Sequence, residues 1–292
     1  MRRVGLLVSV FAGLVGFLAP SAAQPVAAPK GQRVFVTGHS FHMPMVDAFD
    51  QISKAAKIDG HKLAGRQSLG GSTVAQHWNL TDDKDQARKA IKTGTVDVLT
   101  TSPNRGIPDD GLDKFAALLA EHNPAGRVTI QASWYPNDGP ATDGKGFKNA
   151  QRDDATPAAL RKAWEPWVQR MRDQAKAIND KHKREMVVVV PVGDAVIRLR
   201  ERITKGEVPG FAKQSELFTD DLGHARAPVG VLTAYCHFAV IYGRTPVGLP
   251  MPESLKRILG ADAEKMNKLL QELAWDAVLA EPSSGVKVEK GK

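Results

Sequence analysis

The stretch Arg33-Val34-Phe35-Val36-Thr37-Gly38-His39-Ser40-Phe41 decides the fold. A β-type apolar run ends in a glycine, and a serine follows where the chain must turn towards a helix. In open α/β sheets, ligands bind just beyond the carboxyl ends of the strands, so a hydroxyl here faces the crevice. Ser40 is therefore a candidate nucleophile, and also a candidate helix cap that would accept a backbone N–H. A second stretch far along the chain, Thr219-Asp220-Asp221-Leu222-Gly223-His224, favours the first reading.

Outward from Ser40, strand-like runs alternate with helical patterns, which predicts parallel strands joined by crossover helices. Strands are expected at Arg33–Thr37, His61–Gln67, Val96–Thr101, Val128–Ala132 and Met186–Val190. Helices are expected at Met45–Lys57, Asp82–Thr93, Gly111–His122, Pro157–Lys183, Gly193–Thr204, Val229–Tyr242 and Glu253–Leu279. Gly260 is expected to break the last of these, and Pro166 to kink or interrupt the long one. Between Trp134 and Thr156 the chain is rich in Gly, Asp, Asn and Pro and reads as an insertion over the crevice.

The first residues read as an export signal: Arg2 and Arg3, an apolar run from Val4 to Leu18, and small residues up to a cleavage point after Ala23. The apolar run is about fifteen residues, short of the roughly twenty that span a bilayer. The division expected is a signal over 1–23, a Pro/Ala leader over 24–32, one domain over 33–280 and a flexible polar tail over 281–292. About 270 residues after the signal suffice for a single large α/β core. Cys236 is the only cysteine, so no intramolecular disulfide can form, and its apolar surroundings make it a small buried hydrophobe. The net charge of +8 falls to +6 without Arg2 and Arg3. Its basic residues are interleaved with acidic ones, which argues against nucleic-acid binding.

Serine needs a base within hydrogen-bond reach and a third group to orient that base. His224 can serve as base, with Asp221 as its partner and Asp220 as the competitor for that role. Donors for an oxyanion are expected at predicted strand ends: the backbone N–H of Ser40, that of Gly70 or Gly71, and the side-chain amide of Asn104.

These residues resemble a known family. Gly38-His39-Ser40-Phe41 looks like the first block of the SGNH (GDSL-like) hydrolases, Gly70-Gly71 like the second, and Asp221-Leu222-Gly223-His224 like their closing Asp-x-x-His block. The resemblance spans about Arg33 to Gly243. It implies a three-layer α/β/α sandwich with a five-stranded parallel sheet, of flavodoxin-like type, and ester hydrolysis without cofactor or metal. It also implies Ser40 as nucleophile, His224 as base, Asp221 as its partner, and Ser40, Gly71 and Asn104 as oxyanion donors. Two positions depart from the pattern. His39 stands where the family motif has aspartate, and the third block is Ser102-Pro103-Asn104-Arg105, with Asn137 as an alternative amide.

The function expected is an exported serine esterase acting on a short-chain ester. Trp78, Trp134 and Tyr135 near predicted loops fit an acetylated carbohydrate. No nucleic acid, and no membrane span after signal removal, are expected. Two other classes use the same residues: a metal-dependent hydrolase with His39, His42, Asp221 and His224 as ligands, and an exported binding protein that turns nothing over.

Overall fold

Five short strands form a single sheet in the order Lys62–Ser68, Arg33–Gly38, Val98–Thr101, Arg127–Gln131, Val187–Val190, every pair parallel; the first of these is largely polar, and Val, Ile, Leu and Thr dominate the others. The structure, a computed structural model, describes residues 30–104, 106–139 and 146–287. The expected export signal lies outside the described residues, as does the leader up to residue 29. In chain order the elements are β1 (Arg33–Gly38), α1 (Val46–Ala55), β2 (Lys62–Ser68), α2 (Val74–Trp78), α3 (Ala87–Lys92), β3 (Val98–Thr101), α4 (Asp110–His122) and β4 (Arg127–Gln131). The second half supplies α5 (Pro157–His182), β5 (Val187–Val190), α6 (Val192–Thr204), α7 (Ala227–Tyr242), α8 (Glu253–Leu259) and α9 (Ala263–Ala280).

Strand order and handedness together distribute the helices. The chain steps one way from β1 to β2, then back past β1 to β3, β4 and β5, and right-handed crossovers send helices to opposite faces when the direction reverses. The two hydrophobic clusters follow that rule. Val34, Val36, Val188 and Val190 point to the face packed by α1, α6, α7 and α9. Phe35, Leu99, Val187 and Val189 point to the face packed by α2, α3, α4 and α5. The result is the expected three-layer α/β/α sandwich. Every residue of α7 from Pro228 to Tyr242 is buried, because α9 covers it from outside while α1 and α6 flank it. Cys236 lies within α7 as a free, fully buried thiol whose pKa is pushed up by burial.

Three expectations change. α5 is a continuous helix through Pro166. That residue is on the exposed side, where water can take the carbonyl its ring leaves unpaired. The helix expected from Asp82 begins only at α3, because the Gln67 side chain accepts from the N–H groups of Gln86 and Ala87, and Asp85 from that of Arg88. The tail is anchored where it is described: Glu281 is buried and ion-paired with Arg172, and the Ser283 carbonyl accepts from Val189 N. Elsewhere helix and strand ends move by a few residues, and the break at Gly260 lies between α8 and α9 as expected, with φ at 51°.

Candidate active site

β1 is the strand at which the sheet's order reverses, with β2 on one side and β3 on the other. The ends of these three strands therefore open a crevice at the topological switch point. Gly38 closes β1 and is followed immediately by Ser40. A Cβ at Gly38 would meet His42 Nδ1 at 2.5 Å, so only glycine lets the chain turn over that ring.

On the far side of the crevice a tight loop precedes α7. Phe218 and Ala225 form an antiparallel bridge, Thr219 N donates to His224 O at 2.9 Å, and Gly223 turns the loop at φ 102°. Asp220 organises this loop. Its Oδ1 accepts from Gly223 N at 2.9 Å and His224 N at 3.1 Å, and its Oδ2 accepts from His224 Nδ1 at 2.5 Å. The other ring nitrogen, Nε2, stands 2.8 Å from Ser40 Oγ. A relay from carboxylate to imidazole to hydroxyl thus joins residues 184 positions apart.

Asp221, expected beside the imidazole, is not there. In this tight turn, closed by Gly223 N donating to Asp220 O at 3.2 Å, Asp221 faces away from the imidazole and accepts from Asn149 N at 2.8 Å and Lys148 Nζ at 3.2 Å. Asp220 takes its place. Burial pushes the Asp220 carboxyl up, but the hydrogen bonds from the His224 ring and from two backbone N–H groups outweigh it and leave the group below its ordinary range. The Asp221 carboxyl is also lowered, chiefly by the Asn149 N–H.

The loop is held from behind by a buried ion-pair network. Arg152 is 0 % exposed and lies between the rings of Phe147 and Phe218, 4.8 and 4.7 Å from their centroids. It donates to Asp138 Oδ1 at 3.1 Å and to the Asp221 carbonyl at 2.9 Å. Arg200 grips both oxygens of Asp138, at 2.8 and 2.6 Å. Asn137 Nδ2 donates to the Asp221 carbonyl at 2.8 Å, and Trp134 Nε1 to the Gly223 carbonyl at 3.0 Å. The insertion after β4 is therefore a clamp on the Asp–His loop, and Asn137 belongs to that clamp rather than to an oxyanion site.

Among the described residues, the backbone N–H groups of Ser40 and Gly71 have no protein acceptor. Gly71 is exposed and adopts φ 63°, and a Cβ there would meet nothing within 4 Å. Asn104 lies on the same edge, its Nδ2 donating to the Gly71 carbonyl at 2.6 Å. The Gly70-Gly71 turn is fixed from below. Ser72 Oγ donates to Leu69 O at 2.8 Å and so accepts from His77 Nε2 at 2.8 Å, and Asp109 accepts from Val74 N and Ala75 N. The proton in the Ser72–His77 pair therefore runs from imidazole to hydroxyl, the wrong way for activating a nucleophile. Burial lowers His77 to about 4, keeping it neutral.

No family model matches the chain, and no curated protein matches it in sequence. Among solved structures, a DUF4886 family protein from Bacteroides uniformis is similar over 86% of this chain and 96% of its own, with a TM-score of 0.56 and 15% identity. That likeness is one of fold. The chain shares with it a three-layer α/β/α fold around a five-stranded parallel sheet. Looser likenesses, too distant to argue from, are to a protein from Parabacteroides merdae named as a GDSL-like lipase and to phospholipase A1 from Streptomyces albidoflavus. The first has a TM-score of 0.43 and 13% identity, over 74% of this chain and 97% of that one; the second 0.40 and 10%, over 73% and 99%.

Within this fold two further expectations fail. Trp134 is 5% and Tyr135 9% exposed, stacked on Phe41 and Trp167 respectively, and Trp78 packs edge-on against Phe115. They are packing residues and offer no platform for a sugar ring. The four candidate metal ligands are dispersed into separate networks. His42 donates to Thr37 O, His39 faces Ser102, Asp221 is held by Asn149, and His224 stands between Asp220 and Ser40. Among the described residues no three His, Cys, Asp or Glu side chains gather as a metal site.

Proposed function

We propose that this protein is an SGNH-type serine ester hydrolase, with Ser40 as nucleophile, His224 as general base and Asp220 as the group that orients it. One observation carries the reading: the Asp220–His224–Ser40 relay, at 2.5 and 2.8 Å, beside unpartnered N–H groups at a sheet switch point. In the first step Ser40 Oγ attacks the ester carbonyl while its proton passes to His224 Nε2. The carbonyl oxygen, now an oxyanion, is met by the N–H groups of Ser40 and Gly71 and by the Asn104 amide. Collapse breaks the bond to the alcohol, which leaves with the proton from His224. Water, deprotonated by the same nitrogen, then attacks the acyl-enzyme, and the acid leaves as Ser40 regains its proton.

His224 and Asp220 keep side-chain exposures of 34% and 45%, which supports an open site and a short-chain ester as substrate. The amino-terminal signal pattern supports export, and among the described residues no helix is long and apolar enough to cross a membrane. Mass measurement of the mature chain should give a first residue of Gln24. The function is tested by assaying Ser40→Ala on a panel of aryl, lipid and acetylated-sugar esters. Undiminished turnover by that variant removes the mechanism.

A further inference from the structure

Ser40 is placed by its neighbour. The Phe41 backbone is captured on both sides by side chains from elsewhere in the site: its N–H donates to His39 Nδ1 at 3.3 Å, and its carbonyl accepts from Gln131 Nε2 at 3.0 Å. The Ser40 N–H has no protein acceptor among the described residues. These bonds to Phe41 fix the turn next to the nucleophile together with two backbone bonds, His42 N and Met43 N donating to His39 O at 2.9 and 3.1 Å. The Phe41 ring completes the arrangement, stacked on Trp134 at 4.8 Å and meeting His224 edge-on at 5.5 Å.

His39 also reaches across the crevice. Its Nε2 faces Ser102 Oγ at 3.3 Å, Ser102 Oγ faces Ser133 Oγ at 3.3 Å, and Ser133 Oγ accepts from Gln131 Nε2 at 2.6 Å. The circuit closes at the Phe41 carbonyl and ties together the ends of β1, β3 and β4. A backbone N–H can only donate, so Nδ1 of His39 carries the lone pair and the proton lies on Nε2, which faces Ser102 Oγ, while the Pro103 carbonyl also accepts from the ring.

We propose that His39 is a positioning residue for the nucleophile, its neutral imidazole standing in for the side-chain oxygen of an Asx turn by accepting the N–H two residues on. The inference rests on the reading of Ser40 as nucleophile. Burial, at 6% exposure, lowers the His39 imidazole to about 4 and keeps it in the accepting form at neutral pH. The requirement is thus an uncharged acceptor at one distance from the backbone, which an asparagine also supplies and an alanine does not.

The test compares wild type, His39→Ala and His39→Asn by the rate at which a fluorophosphonate labels Ser40, by kcat and KM on p-nitrophenyl acetate, and by thermal melting. A loss of about 1 Å in placement costs on the order of 10²-fold in rate. His39→Ala should therefore label and turn over ten- to a hundredfold more slowly with KM nearly constant. His39→Asn should recover most of that loss even if it melts as early as the alanine variant. Two results overturn the inference alone: wild-type labelling rates in His39→Ala, or rates in both variants that fall in step with melting temperature without rescue by asparagine. Failure of the wild type to label at all overturns the hydrolase reading and this inference with it.

Discussion

Replacing Asp220 by asparagine is expected to cost far more than the same change at Asp221, and the structure says why. In Asp220, one carboxylate oxygen accepts two backbone N–H groups, from Gly223 and His224, and the other accepts from the imidazole. An asparagine must keep its oxygen on the two backbone donors, so its NH2 faces His224 Nδ1. The ring then moves its proton to Nε2 and presents a donor to Ser40, which it can no longer deprotonate. A wrong tautomer of this kind costs about 10⁴ in kcat in other serine hydrolases, or about 5 kcal/mol of transition-state stabilisation. Asp221→Asn keeps an acceptor for Asn149 N and loses only the pair with Lys148, whose side chains are 72% and 49% exposed. Such a surface pair contributes about 0–1 kcal/mol to stability, and kcat should change by less than about threefold. Steady-state kinetics on a short acyl ester, with melting curves to verify folding, reads the contrast. A large loss in Asp221→Asn with little in Asp220→Asn would refute the assignment.

Acid should unfold this protein early. His39 and His77 are lowered to about 4, His237 to about 3 and His42 well below its usual value, all chiefly by burial. The unfolded chain binds protons that the native state refuses, so this stability is present above about pH 6.5 and lost as the pH falls towards 4, at roughly 2 kcal/mol by pH 5 for each of His39, His77 and His237. Urea titrations across that range should show the fall, and a flat profile would contradict it. Asp138→Ala leaves the buried guanidiniums of Arg152 and Arg200 without their carboxylate, which should cost about 3–5 kcal/mol and lower the melting temperature by on the order of 10 °C. Asn104→Ala should lower kcat by about 10²–10³ with little change in melting temperature, and unchanged turnover would remove Asn104 from the oxyanion site.

The sheet was legible because strand and helix periods differ and each buried strand is short and apolar. Val187 to Val190 pack on both faces even though β5 is an edge strand, because helices cover both sides of this parallel sheet. The pairing of Ser40 with His224 was legible because chemistry restricts a nucleophile and its base to strand ends. The choice between Asp220 and Asp221 was not, since it depends on which of two neighbouring side chains a tight turn directs inward. A carboxylate four residues before the histidine closes the turn that Gly223 permits, and that spacing was the available signal. Pro166 misled because a proline's effect depends on whether solvent reaches its side of the helix. The Arg152–Asp138–Arg200 clamp left no local trace, as its members lie 14 and 62 residues apart and each resembles an ordinary surface charge.

The central claim is that one hydroxyl among many is activated. The most direct measurement is the site of covalent modification by a fluorophosphonate at neutral pH, found by mass spectrometry of the digested protein. The account predicts a single adduct on Ser40 that disappears in His224→Gln. An adduct on Ser72, or an unmodified Ser40 in a folded wild-type protein, would contradict it.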